Sequence, residues 1–310
     1  MPDEISPHGG DTAWAFDEAR AELPADLVAD WRRRLAGRRT FAAEGFHTLL
    51  SIVEQAAEVV QVRDAAGQRD RWSRAFPGLT LRHDLDHDIE NAVRMAEWEA
   101  RHGLRSTYFP LHTDWYYRAP GRNSGLSALL RSALDRIASL GHDIGLHNNA
   151  ITVALLTGED PAAVLFRELE ELRNAGFDIR GTVAHGDPLC HQAGYVNSEV
   201  FSEFPRPKLG APDRVVTPPD GVHGSPTRLS PVPMAELGLE FEAGFIGHRL
   251  YLSDTGGRWS LEPHGLRRRF EEEGGLLQIL RHPVWWALQG EPVRPREPRT
   301  TEMPRPRRAS

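Results

Sequence analysis

Apolar residues fall into two alternating patterns from residue 75 onwards: short strand-like runs, and longer repeats with helical spacing. Each of the first three helical repeats ends at a glycine, the residue that most often follows a helix C-terminus. The strand-like runs cover 75–81, 104–111, 143–147, 177–184, 241–246, 249–252 and 276–280, and the helical repeats cover 89–102, 126–137, 160–176 and 266–273. Because such alternation requires parallel strands joined by right-handed crossovers, it predicts an α/β fold, either a barrel or a doubly wound sheet.

The chain on either side of this alternation follows other patterns. Residues 1–74 are expected to form a loose arm and a helical extension, with one helix over about 44–63. The last segment, 291–310, contains five prolines and six arginines and is expected to be disordered. We therefore place the main domain at 75–290, with a Pro- and Gly-rich loop or lid over 205–232.

Composition narrows the classes of function. The net charge is -7, from 37 Lys and Arg against 44 Asp and Glu, which argues against general nucleic-acid binding. No window reaches the ~18 apolar residues of a membrane span, and the first residues lack the basic start and apolar run of a signal peptide. The single cysteine, Cys190, excludes an internal disulfide. We expect a cytoplasmic protein that acts on a small molecule or saccharide, with no nucleic-acid or membrane partner and with its oligomeric state left open.

Six ionisable side chains lie within seven residues at the end of the first strand-like run, in the stretch Arg82-His83-Asp84-Leu85-Asp86-His87-Asp88. On a strand, Asp84 and Asp86 point to the same side. Two neighbouring carboxylates raise each other's proton affinity, and a bound cation removes that conflict. The alternative is a solvated turn that ends in a helix N-cap at Asp88.

Further candidates follow the later strands. His147 and His185 come directly after two of them, and neutral imidazole suits zinc and related divalent metals. His282 follows the last strand, and Asp254 follows the strand before it. An aspartate beside a histidine raises the pKa of the imidazole, which a general acid near neutral pH requires. Ligands gather at the carboxyl ends of parallel strands, so these positions predict one shared site.

Taken together, these motifs resemble the polysaccharide deacetylase superfamily, the carbohydrate esterase type with a NodB-like domain, in its branch with an Arg-His-Asp-x-Asp-His-Asp motif. The resemblance covers about residues 78–287 and rests on five motifs in the family's order, at 81–88, 141–149, 182–188, 253–259 and 280–286. It implies a distorted (β/α) barrel for this domain, in addition to the N-terminal helical extension that the hydrophobic pattern predicts. It also implies a divalent-metal hydrolase that removes acyl groups from amides or esters.

Carried over to this chain, the resemblance implies Asp84 as general base, His282 as general acid and Asp254 as the residue that tunes it. Asp86 and His147 would be metal ligands. The metal is expected to be zinc, with cobalt, nickel, manganese and iron as alternatives. The remaining candidates, for substrate contact, are His87, Asn148, Asp187, Arg258, Trp259 and Trp285.

Two positions depart from the family pattern. Ile151 stands where a second metal-binding histidine is usual, so His185 or His87 would have to complete the ligand set. His185 also stands where the arginine that steadies the base is usual. Two alternatives to a metal hydrolase therefore stay open: a non-catalytic carbohydrate or small-molecule binding protein on a degenerate scaffold, and a metal-free amidase on the same barrel.

Overall fold

The computed structural model describes residues 33–35, 37–42, 45–118, 125–204 and 214–288. Residues 1–32 of the expected arm and helical extension, and the expected tail at 291–310, lie outside these ranges. Within them, helices and strands alternate along most of the chain, as the hydrophobic pattern predicts. Among the described helices, none combines the length and the apolar character that crossing a membrane requires.

Thirteen strands lie within the described residues: β1 (Phe41–Ala42), β2 (Glu58–Val60), β3 (Gly78–Leu85), β4 (Thr107–Pro110), β5 (Asp143–Ile144), β6 (Leu146–Asn148), β7 (Gly181–Ala184), β8 (Arg214–Val216), β9 (Thr227–Leu229), β10 (Phe241–Glu242), β11 (Leu250–Ser253), β12 (Leu276–Arg281) and β13 (Trp286–Ala287). Eight α-helices with complete described ranges accompany them: α1 (Gly45–Val53), α2 (Val62–Gly67), α3 (Ile89–Arg101), α4 (Ala128–Ser139), α5 (Ala150–Thr157), α6 (Pro161–Asn174), α7 (Pro188–Gln192) and α8 (Pro263–Glu273).

Parallel pairing organises the strands into two main sheets. The order in the first is β11-β12-β3-β4-β5, with β2 also paired to the start of β3, and the order in the second is β10-β7-β6. The chain passes from one sheet to the other through Gly145, whose amide donates to the Tyr108 carbonyl at 2.9 Å. A side chain on Gly145 would meet the Phe109 ring and the Gly181 carbonyl, so this crossing depends on glycine. The fold is therefore mixed α/β with parallel sheets.

The central strand β3 determines which residues face the helices. Leu79 and Leu81 pack with α1, α3 and α8 in one apolar cluster, and Leu85 packs with α3, α4 and α6 in another. Because side chains alternate along a strand, Arg82 and Asp84 point away from these helices. All eight residues of β3 are buried, so the polar residues on its inner side require partners there.

Helix ends agree with the sequence signals. Asp88 caps α3 by accepting a hydrogen bond from the Asn91 amide at 3.0 Å, and Gly103 follows that helix with a φ of 71°. Asp160 caps α6, with Pro161 in the first turn. The N-cap reading of Asp88 is thus confirmed, and it coexists with the grouping of Asp84 and Asp86 described below.

Several sequence predictions about elements are wrong in detail, including the strand expected over 241–246, which ends at Glu242. The helix expected over 44–63 ends at Val53, because Glu58–Val60 pairs in parallel with β3 and the helical spacing of its valines is coincidental. The single strand expected over 143–147 is two strands, separated by Gly145 where the chain changes sheet. The loop expected over 205–232 contains the antiparallel pair β8 and β9, although 205–213 lie outside the described residues.

Candidate functional site

Side chains from the ends of four parallel strands meet at one place. Asp86 follows β3, His147 lies in β6 and His185 follows β7, and one ligand atom from each lies within 4.8 Å of the others. His282 follows β12, and its Nε2 lies 3.8 Å from Asp86 Oδ2. The structure thus brings together the metal ligands and the acid that the sequence predicts, at the carboxyl ends of the strands.

His147 is oriented by a backbone hydrogen bond. Its Nδ1 lies 3.0 Å from the carbonyl of Val183, which leaves Nε2 directed at the carboxylates. Nε2 lies 3.4 Å from Asp86 Oδ1 and 3.5 Å from Asp84 Oδ2. Burial alone would lower the pKa of His147, but these two aspartates raise it above its ordinary value. A carbonyl behind an imidazole is the arrangement that fixes the tautomer of metal-binding histidines.

Asp86 and His185 complete a donor set that fits a divalent metal. Asp86 Oδ1 is buried and receives no hydrogen bond from any described residue. His185 Nε2 lies 3.9 Å from Asp86 Oδ2. Burial would raise the pKa of Asp86, but the neighbouring imidazoles, those of His147 and His282 above all, hold it well below its usual range. Two imidazoles and one carboxylate are a ligand set typical of catalytic zinc sites.

Asp84 is paired with an arginine from its own strand. Arg82 Nε donates to Asp84 Oδ1 at 2.8 Å and Arg82 Nη2 to Oδ2 at 2.6 Å. Burial would raise the pKa of Asp84, but the Arg82 guanidinium and His147 lower it overall. Gln278 on β12 accepts from Arg82 Nη1 at 3.2 Å and so holds the guanidinium in place.

Arg82 therefore holds Asp84 from the same strand, a contact that was not predicted from the sequence. The signal was present in the spacing, because residues two apart on a strand share one face. Arg82 and Asp84 are both buried, which makes a bidentate pair the natural way to hold two charges there.

His282 is held by Asp254, as the sequence predicts. Its Nδ1 lies 2.6 Å from Asp254 Oδ1, and its backbone amide donates to both carboxylate oxygens. The indole of Trp286 donates to Asp254 Oδ2 at 2.8 Å. Burial would lower the pKa of His282, but the negative charge of Asp254 raises it to about 9. At neutral pH the imidazole is therefore protonated, and its Nε2–H faces the site.

Two of the residues predicted to contact substrate, His87 and Asp187, border the site. His87 has a left-handed backbone with a φ of 69°, unusual for a residue other than glycine. The side chain of Asp114 holds it by accepting from the His87 amide at 2.6 Å and pairing with Nδ1 at 2.9 Å. The hydrogen bond between the His87 imidazole and the Asp114 carboxylate raises the pKa of His87. Asp187 Oδ2 lies 3.7 Å from His185 Nδ1, and Asp187 also caps α7.

The structure does not bring two of the other predicted substrate contacts to this site. Asn148 is fully buried and, as the residue after His147 on β6, points to the other side of the strand. Its side-chain Nδ2 donates to the Asn197 carbonyl, and its Oδ1 accepts from the Ala150 backbone amide. Trp259 instead packs against Phe41, with ring centroids 4.9 Å apart. Substrate contact by Asn148 and Trp259 therefore stays a prediction that these contacts do not support.

Arg258 and Trp285 are placed differently again. The Arg258 side chain is exposed, and its backbone amide donates to the Asp254 carbonyl. Trp285 is partly buried, and its carbonyl accepts from the Thr40 amide at 2.8 Å. Its neighbour Trp286, rather than Trp285, makes the contact with Asp254.

Sequence reasoning missed a connection made by the segment before β1. Arg39 is buried, and its guanidinium donates to Asp88 Oδ2 at 2.6 Å and to the Val284 carbonyl at 2.7 Å. Asn91 donates to the carbonyls of Pro283 and Trp286, both at 2.8 Å. The turn after Asp86 and the turn after His282 are therefore joined by hydrogen bonds. No local pattern around residue 39 indicates this contact.

Comparisons with known protein families, with curated proteins and with solved structures find no match to this chain. What the protein does must therefore be inferred from the side chains described above.

Metal binding is the first property to measure. We expect metal-free protein titrated with zinc to show one site, and His185→Ala to weaken the affinity by about a hundredfold because one ligand is lost. His264→Ala, at an exposed histidine on α8, is the matched control and should bind as the parent does. A parent that takes up no zinc, cobalt or manganese, or a His185→Ala variant with the parent's affinity, would contradict the proposed ligand set.

Proposed function

We propose that this protein is a metal-dependent hydrolase that removes an N-acetyl or N-acyl group from a sugar or another small amide. One observation carries the proposal. Two ion pairs, Arg82 with Asp84 and Asp254 with His282, lie beside three side chains that are close enough to share a metal ion. These three side chains are Asp86, His147 and His185. A base held ionised, an acid held protonated and a metal site are the parts that amide hydrolysis needs at neutral pH.

Asp86, His147 and His185 would hold the metal. A divalent ion such as zinc supplies Lewis acidity at the acyl oxygen and activates water at neutral pH. Asp84 would accept a proton from the attacking water, because its lowered pKa keeps it ionised and Arg82 fixes its orientation. His282 would give its Nε2 proton to the leaving amine, while Asp254 balances the charge of the imidazolium. In this proposal the ionised Asp84 takes up one proton and the protonated His282 gives up another.

The strand order supports a distorted (β/α) barrel of the polysaccharide deacetylase type. Seven parallel positions follow one another as β11, β12, β3, β4, the β5–β6 pair, β7 and β10, with the change of sheet at Gly145. Each residue proposed as base, acid or metal ligand lies in the C-terminal part of one of these strands or directly after it. In barrel enzymes this is the end at which catalytic residues are found.

The environment of Asp86 weighs against the two alternatives. Ile151, the basis for a degenerate binding scaffold, is buried in an apolar cluster, and His185 from the next strand lies at the place a third ligand would take. A metal-free amidase has no need for the buried Asp86 Oδ1 that no described residue hydrogen-bonds. We therefore favour the metal hydrolase.

Asp84→Asn tests the role of the base. The amide keeps the shape of the side chain but cannot accept a proton, so we expect kcat to fall by about a thousandfold. Because Asp84 is not one of the three proposed ligands, zinc affinity should stay close to that of the parent. The assay measures amine released from N-acetylated sugars and small N-acyl amides by zinc-loaded protein. Equal turnover by variant and parent would remove Asp84 from this role.

Asp254→Asn tests the acid through the pH profile. Since the charge of Asp254 raises the pKa of His282 to about 9, its loss lowers that pKa and the imidazolium gives up its proton at lower pH. The alkaline limb of kcat/KM should therefore move towards neutral pH, with the acid limb left in place. An alkaline limb at the parent's position in the variant would show that His282 is not the acid.

A further inference from the structure

A fully buried carboxylate lies behind the site, on the side of the sheet that faces the helices. Glu99, in the last turn of α3, has no exposed surface. Its Oε2 accepts from Ser106 Oγ and from the hydroxyl of Tyr108, both at 2.7 Å. Its Oε1 lies 2.9 Å from His83 Nε2 and contacts the guanidinium of Arg281. Four side chains therefore converge on one glutamate.

Three of these partners form a row across neighbouring strands. Arg281 on β12 is in register with His83 on β3, and His83 is in register with Tyr108 on β4. Residues in register on parallel strands point to the same side of the sheet, and here that side faces α3. The His83 ring also stacks on Tyr108, with centroids 4.3 Å apart. Glu99 thus joins three strands at a single level.

The residues that follow two members of this row are the proposed reacting groups. Asp84 comes directly after His83, and His282 directly after Arg281. Because side chains alternate, each points to the opposite side of its strand from the Glu99 row. A shift of β12 relative to β3 would therefore change the separation between base and acid.

The charges in the row make Glu99 the member on which the others depend. Burial, followed by the positive charge of Arg281, lowers the pKa of His83 well below its ordinary value, so His83 is neutral. Glu99 is then the negative charge that faces Arg281 in the row, and a buried charge without its counter-ion is strongly unfavourable. Loss of the carboxylate would remove the ion pair and the acceptor for His83, Ser106 and Tyr108 together.

We propose that Glu99 is a positioning residue, which fixes the end of β12 against β3 and so the distance between Asp84 and His282. It touches neither substrate nor metal, since it is buried on the other side of the sheet. This inference rests on the proposed function only for the roles of Asp84 and His282, and its main measurement is geometric, so the two can fail separately.

Glu99→Gln is the test, with Glu168→Gln as its matched control. Glu168 on α6 is also a buried glutamate in ion pairs, with Arg118 and Arg167, but those partners lie outside the proposed site. In crystal structures we expect the distance from Asp84 Oδ2 to His282 Nε2 to change by more than about 0.5 Å in Glu99→Gln and to stay constant in Glu168→Gln. An unchanged distance in Glu99→Gln would overturn the proposal, whether or not the parent hydrolyses amides.

Turnover supplies a second measurement where the parent is active. Zinc-loaded Glu99→Gln should lose about tenfold or more in kcat with KM within about twofold, because misplaced groups slow the chemical step rather than binding. Glu168→Gln should keep the parent's kcat. Equal losses in both variants would mean that Glu99 acts only through general stability, and would overturn the positioning role.

Tyr108→Phe covers the case in which Glu99→Gln does not fold. It removes one hydrogen bond to Glu99 and leaves the ion pair with Arg281 in place. A smaller displacement of His282 in the same crystallographic comparison would support the proposal. A Tyr108→Phe structure with the parent's geometry throughout the row would overturn it.

Discussion

The site depends on how two neighbouring aspartates, Asp84 at the end of β3 and Asp86 directly after it, avoid repelling each other. Arg82 balances the charge of one of them, because its guanidinium makes a bidentate contact with Asp84 on the same strand. Asp86 is left facing three imidazoles, those of His147, His185 and His282. The two carboxylates therefore differ in environment: one is fixed and paired, and the other is open to a cation. In the function that we propose, this difference gives two chemically identical groups different roles, Asp84 as the base and Asp86 as a metal ligand.

The strand β3 holds a charged or ionisable network on each of its two sides. On the inner side, Arg82 contacts Gln278 on β12, which donates to the Ala243 carbonyl at 2.8 Å, so the buried guanidinium is linked to β12 and to the turn after β10. On the outer side, His83 reaches Glu99. Both networks extend to β12, the strand that precedes His282. Hydrogen bonds and ion pairs on both sides therefore connect β12 to β3 near the proposed acid and base, and the proton transfers that we propose require side chains held in fixed positions.

Local patterns were enough to predict much of this from the sequence. Residue spacing predicts that Asp88 caps the helix and that Asp84 and Asp86 share one side. The order of the strand ends predicts that Asp254 lies near His282. What could not be predicted depends on contacts between distant segments. Arg39 binds the carbonyl of Val284 across 245 residues, and the valines of β2 follow a helical spacing but pair with β3. Tertiary contacts override local preference at such positions.

The central claim is that Asp86, His147 and His185 share one divalent ion. Crystals of the parent protein soaked in zinc, with diffraction recorded above and below the zinc absorption edge, measure this directly. The account predicts a single strong anomalous peak bonded to Asp86 and to Nε2 of His147 and His185, at about 2.0–2.2 Å from each ligand atom. A peak elsewhere on the protein, or none at these three side chains, would contradict it.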